Sequence, residues 1–169
     1  MLRRAVAEDA AALSLVAGAT LLDTFAGILS GRDLVVHCAR NNTPEKFAAW
    51  AEDPESVVTL AETANGAAPL GYTVLTTPDL PVEIVPGDIE LRRIYMLSRL
   101  HGSGLGAELM ERALADARDM GRKRVLLGVY GGNARARAFY ERQGFTVAGE
   151  RQFLVGETLH DDAIYARAI

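Results

Sequence analysis

The run His101-Gly102-Ser103-Gly104-Leu105-Gly106-Ala107 decides how the chain is read, because it stands between a β-branched, apolar stretch (Ile89 to Leu97) and an amphipathic helical pattern (Leu105 to Met120). Glycines at alternate positions let a backbone approach a ligand closely. The helix that follows turns its unpaired N–H groups and the positive end of its dipole back into the loop. Strand, glycine loop and helix in that order form a cradle for a phosphate group.

Working outward, Lys123 to Tyr130 is an apolar strand expected to be buried on both faces, set off from the preceding helix by the stop at Gly121. Asn133 can cap a short helix through Gln143, closed by Gly144. Thr146 to Val155 and Ala163 to Ile169 are expected to pair as a hairpin across Gly156 to Asp162. Toward the N-terminus, Leu2 to Val6 is a strand, Glu8-Asp9 opens a helix to about Asp23, and Thr24 to Arg32 holds loop and a short helix. Thr43-Pro44-Glu45 begins a helix to about Glu52, with Thr43 as cap and Pro44 at the first helical position. Ser56 to Glu62 and Leu70 to Thr76 make a hairpin around Asn65-Gly66, and the proline-rich Pro78 to Asp88 is loop. The order is α/β with a mixed sheet, in one domain spanning residues 1–169.

Composition narrows the function. The 18 Lys and Arg against 22 Asp and Glu, a net charge of −4, argue against a nucleic-acid or membrane partner and mildly favour a cationic substrate. The single cysteine, Cys38, excludes an internal disulfide and is read as a small packed residue of a chain kept in a reducing cytoplasm. No apolar run approaches the roughly 18 residues of a membrane span, and the N-terminus lacks a signal-peptide pattern. No His, Cys, Asp or Glu cluster has metal-ligand spacing, so no metal is expected, and His37 and His160 are read as lone histidines in surface or satisfied core roles.

Taken as letters, Gly102-x-Gly104-x-x-Ala107 also satisfies a dinucleotide-binding fingerprint, which would make the chain an oxidoreductase. That fingerprint wants the strand to run into the first glycine, but Ser98-Arg99-Leu100-His101 intervenes. It also wants an acidic residue roughly 20 positions on. The segment there, Lys123 to Val129, holds no carboxylate.

The segment Glu90-Leu-Arg-Arg-Ile-Tyr-Met-Leu-Ser-Arg-Leu-His-Gly-Ser-Gly-Leu-Gly-Ala-Glu-Leu-Met110, with Asn133 and Ala138-Phe139-Tyr140-Glu141-Arg142-Gln143-Gly144-Phe145, resembles the GNAT superfamily of acyl-CoA-dependent N-acetyltransferases. The resemblance implies a GNAT-like mixed, largely antiparallel sheet with a splayed central strand pair and flanking helices. It implies acetyl-CoA as co-substrate, with its pyrophosphate on the main-chain N–H groups of Gly102, Ser103, Gly104, Leu105, Gly106 and Ala107. The motif glycines map onto Gly104 and Gly106, and His101 stands where the family carries Gln or Arg. By the same resemblance the pantetheine arm bonds to the strand at Ile94, Tyr95 and Met96, and Asn133 contacts it besides capping its helix.

Direct transfer to an amine needs orientation, oxyanion stabilisation and a proton for the departing thiolate. Tyr140 matches the family's tyrosine and is the proton donor under this reading; as a bare sequence position it suits a core aromatic better, and the matched loop with Asn133 upstream reverses that preference. Glu90, at the start of the splayed strand, is either the base or a solvated strand-end glutamate, and Asp88 could take its place.

Within the superfamily the chain is most similar to the bacterial PaiA-like spermidine/spermine acetyltransferases, through Glu90 to Leu97, Leu126 to Tyr130, and Phe153 to Glu157 with Asp162. That favours a small polyamine-like amine, with Glu83, Asp88 and Glu90 as carboxylates for it. A protein N-terminus or lysine is also open, as is a non-catalytic acyl-CoA-binding or regulatory module on the same fold. A monomer or homodimer is expected.

Overall fold

A computed structural model describes residues 1–169. The chain forms β1 (Leu2–Arg4), α1 (Ala10–Phe25), α2 (Gly31–Asn41), α3 (Pro44–Glu52), β2 (Val57–Glu62), β3 (Pro69–Thr76), β4 (Asp88–Met96), α4 (Leu105–Asp119), β5 (Arg124–Tyr130), α5 (Ala134–Arg142), β6 (Thr146–Val155) and β7 (Thr158–Ala168). The seven strands lie in the order β1-β2-β3-β4-β5-β7-β6. Every neighbour pair is antiparallel except the central one, β4 with β5. No helix is long and apolar enough to cross a membrane.

The parallel pair is joined over only three register positions, Asp88 with Arg124, Ile89 with Val125 and Glu90 with Leu126. Beyond Glu90 the strands separate, and Leu91 to Met96 stay paired only with β3. A register shift between Val74 and Leu75 of β3 takes Arg92 out of the pairing with β3 at the same level. A bulge of this kind bends its strand and strengthens the local twist.

Two apolar layers cover the sheet. On one face α4 buries Leu109, Met110, Ala113, Leu114 and Ala117, a stripe at helical spacing that packs Met110, Ala113, Leu114 and Ala117 against Ile89, Leu91, Val125 and Leu127. On the other, α1 and α3 bring Leu13, Val16, Ala17 and Phe47 against Val58, Leu60, Tyr72 and Val74. Val125 and Leu127 belong to the first layer, while Leu126 packs with Leu80 and Ile164 on the opposite side, so β5 is buried on both faces as its apolar run implied.

The structure corrects two expectations. Residues 31–41 form the helix α2, which begins inside the Thr24 to Arg32 stretch expected to hold loop and a short helix and continues through residues 33–41, for which no element is expected; Ser30 caps it, its hydroxyl accepting from the Asp33 N–H. The C-terminal hairpin turns on Gly156-Glu157 alone, with Val155 paired to Thr158, rather than across Gly156 to Asp162. Gly156 has φ +61, a conformation that suits so tight a turn. The consequence is that His160 and Asp162 belong to β7, paired with Phe153 and Arg151 of β6.

Candidate active site

The separation of β4 from β5 opens a cleft of about 420 Å³. One mouth is the glycine loop. Gly102 and Gly104 have φ of +83 and +94, and a side chain at either would meet no atom within 4 Å, so conformation and not crowding calls for glycine there. The Ser103 N–H donates to the Leu100 carbonyl and that of Ala107 to the Gly104 carbonyl. Those two groups of the predicted cradle are therefore used within the loop. The Leu105 N–H has only a 3.4 Å contact to the Ser103 hydroxyl, and those of Gly102, Gly104 and Gly106 find no main-chain acceptor. They are the orphan donors of a helix start, at its positive end. Arg135, in the first turn of α5, reaches His101 across the loop mouth. Burial and that cation hold the His101 imidazole below its ordinary value.

Past the loop, Ile94, Tyr95 and Met96 form one wall. Gly106 belongs to the packing of this wall: a Cβ there would lie 3.1 Å from the Met96 methyl and 3.7 Å from the Phe139 ring. Asn133 lines the cleft and also caps α5, its side-chain oxygen accepting from the Ala136 N–H at 3.0 Å.

Tyr140 is buried among Phe139, Phe145 and Tyr165, with ring centroids 5.5, 6.1 and 6.2 Å away, and borders the cleft. Burial first, and then the Tyr95 phenol, push its hydroxyl well above the ordinary tyrosine range, so it stays protonated. The core-aromatic and cleft-lining readings are both true of this ring.

Glu90 also borders the cleft, at the last paired position before the strands part. It is 3% exposed, which removes the reading of a solvated strand end. Its Oε2 accepts from the Asp79 N–H at 2.9 Å and the Arg92 guanidinium at 3.0 Å, while Oε1 has no partner in the chain. Asp88 does not take this role. Both its oxygens are held by Arg124, at 2.8 and 2.7 Å, and Oδ2 also by the Val85 N–H. Glu83 meets Arg124 through its carbonyl oxygen and, like Asp88, stands apart from the cleft lining.

The far half of the cleft holds residues that the sequence reading did not assign to it. His37 and His160 both line it; His37 Nδ1 lies 3.3 Å from the Asn41 side-chain amide, while His160 Nε2 is buried without a partner. Arg151 pairs with Asp162 at 3.3 Å and lies 4.5 Å over the Phe153 ring. Its guanidinium occupies the space above Gly128, where a Cβ would come within 2.8 Å of Cζ. Burial raises the Asp162 carboxyl above its ordinary value, partly offset by Arg151. Around the whole cleft, Lys46, Arg92, Arg93, Arg135, Arg142 and Arg151 outnumber Asp79, Glu90 and Asp162.

A glycine cradle on a helix start, an extended strand edge freed by its neighbour's departure and a protonated phenol beside it define an acyl-CoA-dependent transferase. Residues 28–145 match the sequence model of the acetyltransferase (GNAT) family, and the chain belongs to that family. It is 34% identical over 129 residues to an uncharacterised N-acetyltransferase of Mycobacterium tuberculosis, covering 76% of this chain and 78% of that one. An uncharacterised N-acetyltransferase of Lactobacillus delbrueckii is 28% identical over 151 residues, covering 89% and 86%. The fold is similar to that of the PaiA N-acetyltransferase of Thermoplasma acidophilum, solved with coenzyme A, with a TM-score of 0.80 at 20% identity over 100% of this chain and 98% of that one. Membership makes the protein an N-acetyltransferase that works with CoA.

Proposed function

We propose that the protein transfers an acetyl group from acetyl-CoA to a primary amine by direct attack, with Tyr140 protonating the departing thiolate and Glu90 taking the amine proton, directly or through one water. One observation carries this reading: Tyr140 and the free Oε1 of Glu90 border the same cleft, which leads from the glycine loop through the gap between β4 and β5. The N–H groups of Gly102, Gly104, Leu105 and Gly106 would hold the pyrophosphate with Arg135 beside them. The edge of β4 at Ile94 to Met96, with Asn133, would hold the pantetheine arm.

The acetyl thioester supplies the electrophile. The amine lone pair forms the N–C bond, the C–S bond breaks, the ammonium proton passes to Glu90, and the phenol proton of Tyr140 goes to sulfur. Among primary amines the lining weighs against a polycation such as spermidine, because cations outnumber carboxylates around the cleft.

Tyr140→Phe should lower kcat by about a hundredfold or more while the calorimetric Kd for acetyl-CoA stays within about twofold. Glu90→Gln should do the same. Wild-type turnover in Tyr140→Phe would remove the phenol from the reaction.

A further inference from the structure

Beside the Arg151–Asp162 pair, the far half of the cleft carries two cations, Lys46 and Arg93, with neutral hydrogen-bond partners and no carboxylate. Arg93 leaves β4 toward the junction of α2 and α3, where its guanidinium donates to the Asn42 side-chain oxygen at 2.6 Å and the Asn41 carbonyl at 2.8 Å. It lies 5.1 Å from the centroid of the Trp50 ring and 5.5 Å from that of Phe47. All four partners are neutral. Lys46 flanks the same Trp50 ring, with its ammonium at 5.6 Å, and donates to the Asn41 side-chain oxygen at 3.1 Å, again a neutral partner.

A third cation adjoins them. Arg92 gives one nitrogen to Glu90 and stands 3.8 Å from the exposed Asp79, but its Nε–H is buried and finds no acceptor. The crowding reaches the neighbours: burial, Arg93 and Arg92 press Lys46 below its ordinary value, and burial, Arg93 and Lys46 do the same to His37. Cations taken out of water with only neutral partners keep much of their desolvation cost. An anion seated among them offsets that cost and gives the Arg92 Nε–H its acceptor.

We propose that the acceptor amine carries a carboxylate or phosphate, held by Lys46, Arg93 and the Nε–H of Arg92, an assignment that rests on the N-acetyltransferase reading of the cleft. Glu90 and Arg93 are three residues apart on β4, roughly 10 Å of strand. A long arginine side chain shortens that span, so a small amino acid can offer its amine toward Glu90 and its acid toward Arg93. A diamine of equal length would set its second ammonium against the same cations.

Two measurements test this. Thiol release is followed with butylamine, 1,4-diaminobutane and 4-aminobutyrate, and with ethanolamine beside phosphoethanolamine. The acidic member of each set should exceed its neutral partner in kcat/KM by about tenfold or more. That ratio should collapse toward one in Lys46→Met through a higher KM for the acid, and should fall with added salt. The better of the carboxylate and phosphate compounds identifies which anion the subsite is built for.

Trp50 is the chain's single tryptophan, so its fluorescence reads the subsite without turnover. It should respond saturably to 4-aminobutyrate, not to butylamine or 1,4-diaminobutane, and the response should be lost in both Lys46→Met and Arg93→Gln. Equal or greater turnover of the diamine, or a ratio unmoved by Lys46→Met, overturns the anionic subsite and leaves the transferase standing. Thiol release with none of the amines overturns the proposed transfer to a small primary amine and the acceptor assignment with it.

Discussion

Burial, together with the charges of Arg93 and Lys46, holds the His37 imidazole at about 4 against an ordinary 6.5. Between those two values the unfolded chain carries a proton at this site that the folded chain does not. Stability therefore rises with pH across that window and is lost as pH falls from 6.5 toward 4. In a proton-resolved NMR titration the His37 ring should show a midpoint well below 5, about a unit or more under an exposed histidine. Lys46→Met should move that midpoint upward, and His37→Gln should lose less of its urea midpoint than wild type between neutral pH and pH 4.5. A midpoint near the ordinary value would place the ring in water and separate it from Arg93.

At this scale the sequence is legible where a residue's role is local. Tyr140, Asn133 and the glycines sit in short motifs whose chemistry depends on neighbours in the chain, and Asn133 caps α5 as its position foretold. His37, Lys46, His160 and Asp162 reach the cleft from three separate elements. No spacing along the chain could have announced that meeting. The only signal was the pair Arg92-Arg93, following directly on the buried Asp88 to Leu91 of the same strand.

Among the elements, β3 holds β4 in the position where it lines the cleft, and at Gly71, paired with Met96, there is no room between the two for a side chain. A Cβ at Gly71 would lie 2.7 Å from the Tyr95 carbonyl oxygen and 2.9 Å from Met96 Cβ. Main-chain atoms cannot swing aside as a side-chain tip can, so Gly71→Ala should drive β4 away from β3 at Tyr95 and Met96. The expected cost is about 1–3 kcal/mol of stability, read from the urea midpoint, together with weaker acetyl-CoA binding by calorimetry. Gly128→Ala provides the contrast, since the atoms it meets are the mobile end of Arg151. It should leave stability nearly unchanged; an equal loss in the two variants would contradict the distinction.

The elements with one strong pattern were readable: α4 by its apolar stripe between Gly104 and Gly121, and β5 by its unbroken apolar run. The helix α2 was not, because its interior Val35-Val36-His37-Cys38 has poor helical propensity and only Asp33 and Leu34 are buried. Tertiary ties supply what propensity lacks. The Asp33 carboxylate accepts from the Glu157 N–H and the Thr158 hydroxyl, each at 2.8 Å, across most of the chain's length.

For the molecule as a whole, the same separation that makes the cleft leaves the sheet in two arms, β1 to β4 and β5 to β7, sharing three register pairs. The mixed order of the sheet follows from the sequence of elements, but where the β4–β5 pairing stops, after Glu90 and Leu126, leaves no mark in hydrophobic periodicity, so the splay was legible only through family resemblance. Asp88 and Arg124 form the first of those pairs and also a two-pronged ion pair, with Asp88 4% exposed. Arg124 holds the Asp88 carboxyl below its ordinary 3.8. A carboxyl lowered in the folded state contributes stability above its unfolded value and loses it as pH falls through the folded one. Asp88→Asn leaves Arg124 without its charge partner at the seam and should cost about 2–3 kcal/mol at neutral pH. Below pH 3.8 wild type gives up the same interaction, so the urea midpoints of the two proteins should converge in acid. A difference that stays constant from neutral pH into acid would mean that the seam is held by its hydrogen-bonded backbone and the apolar layers alone.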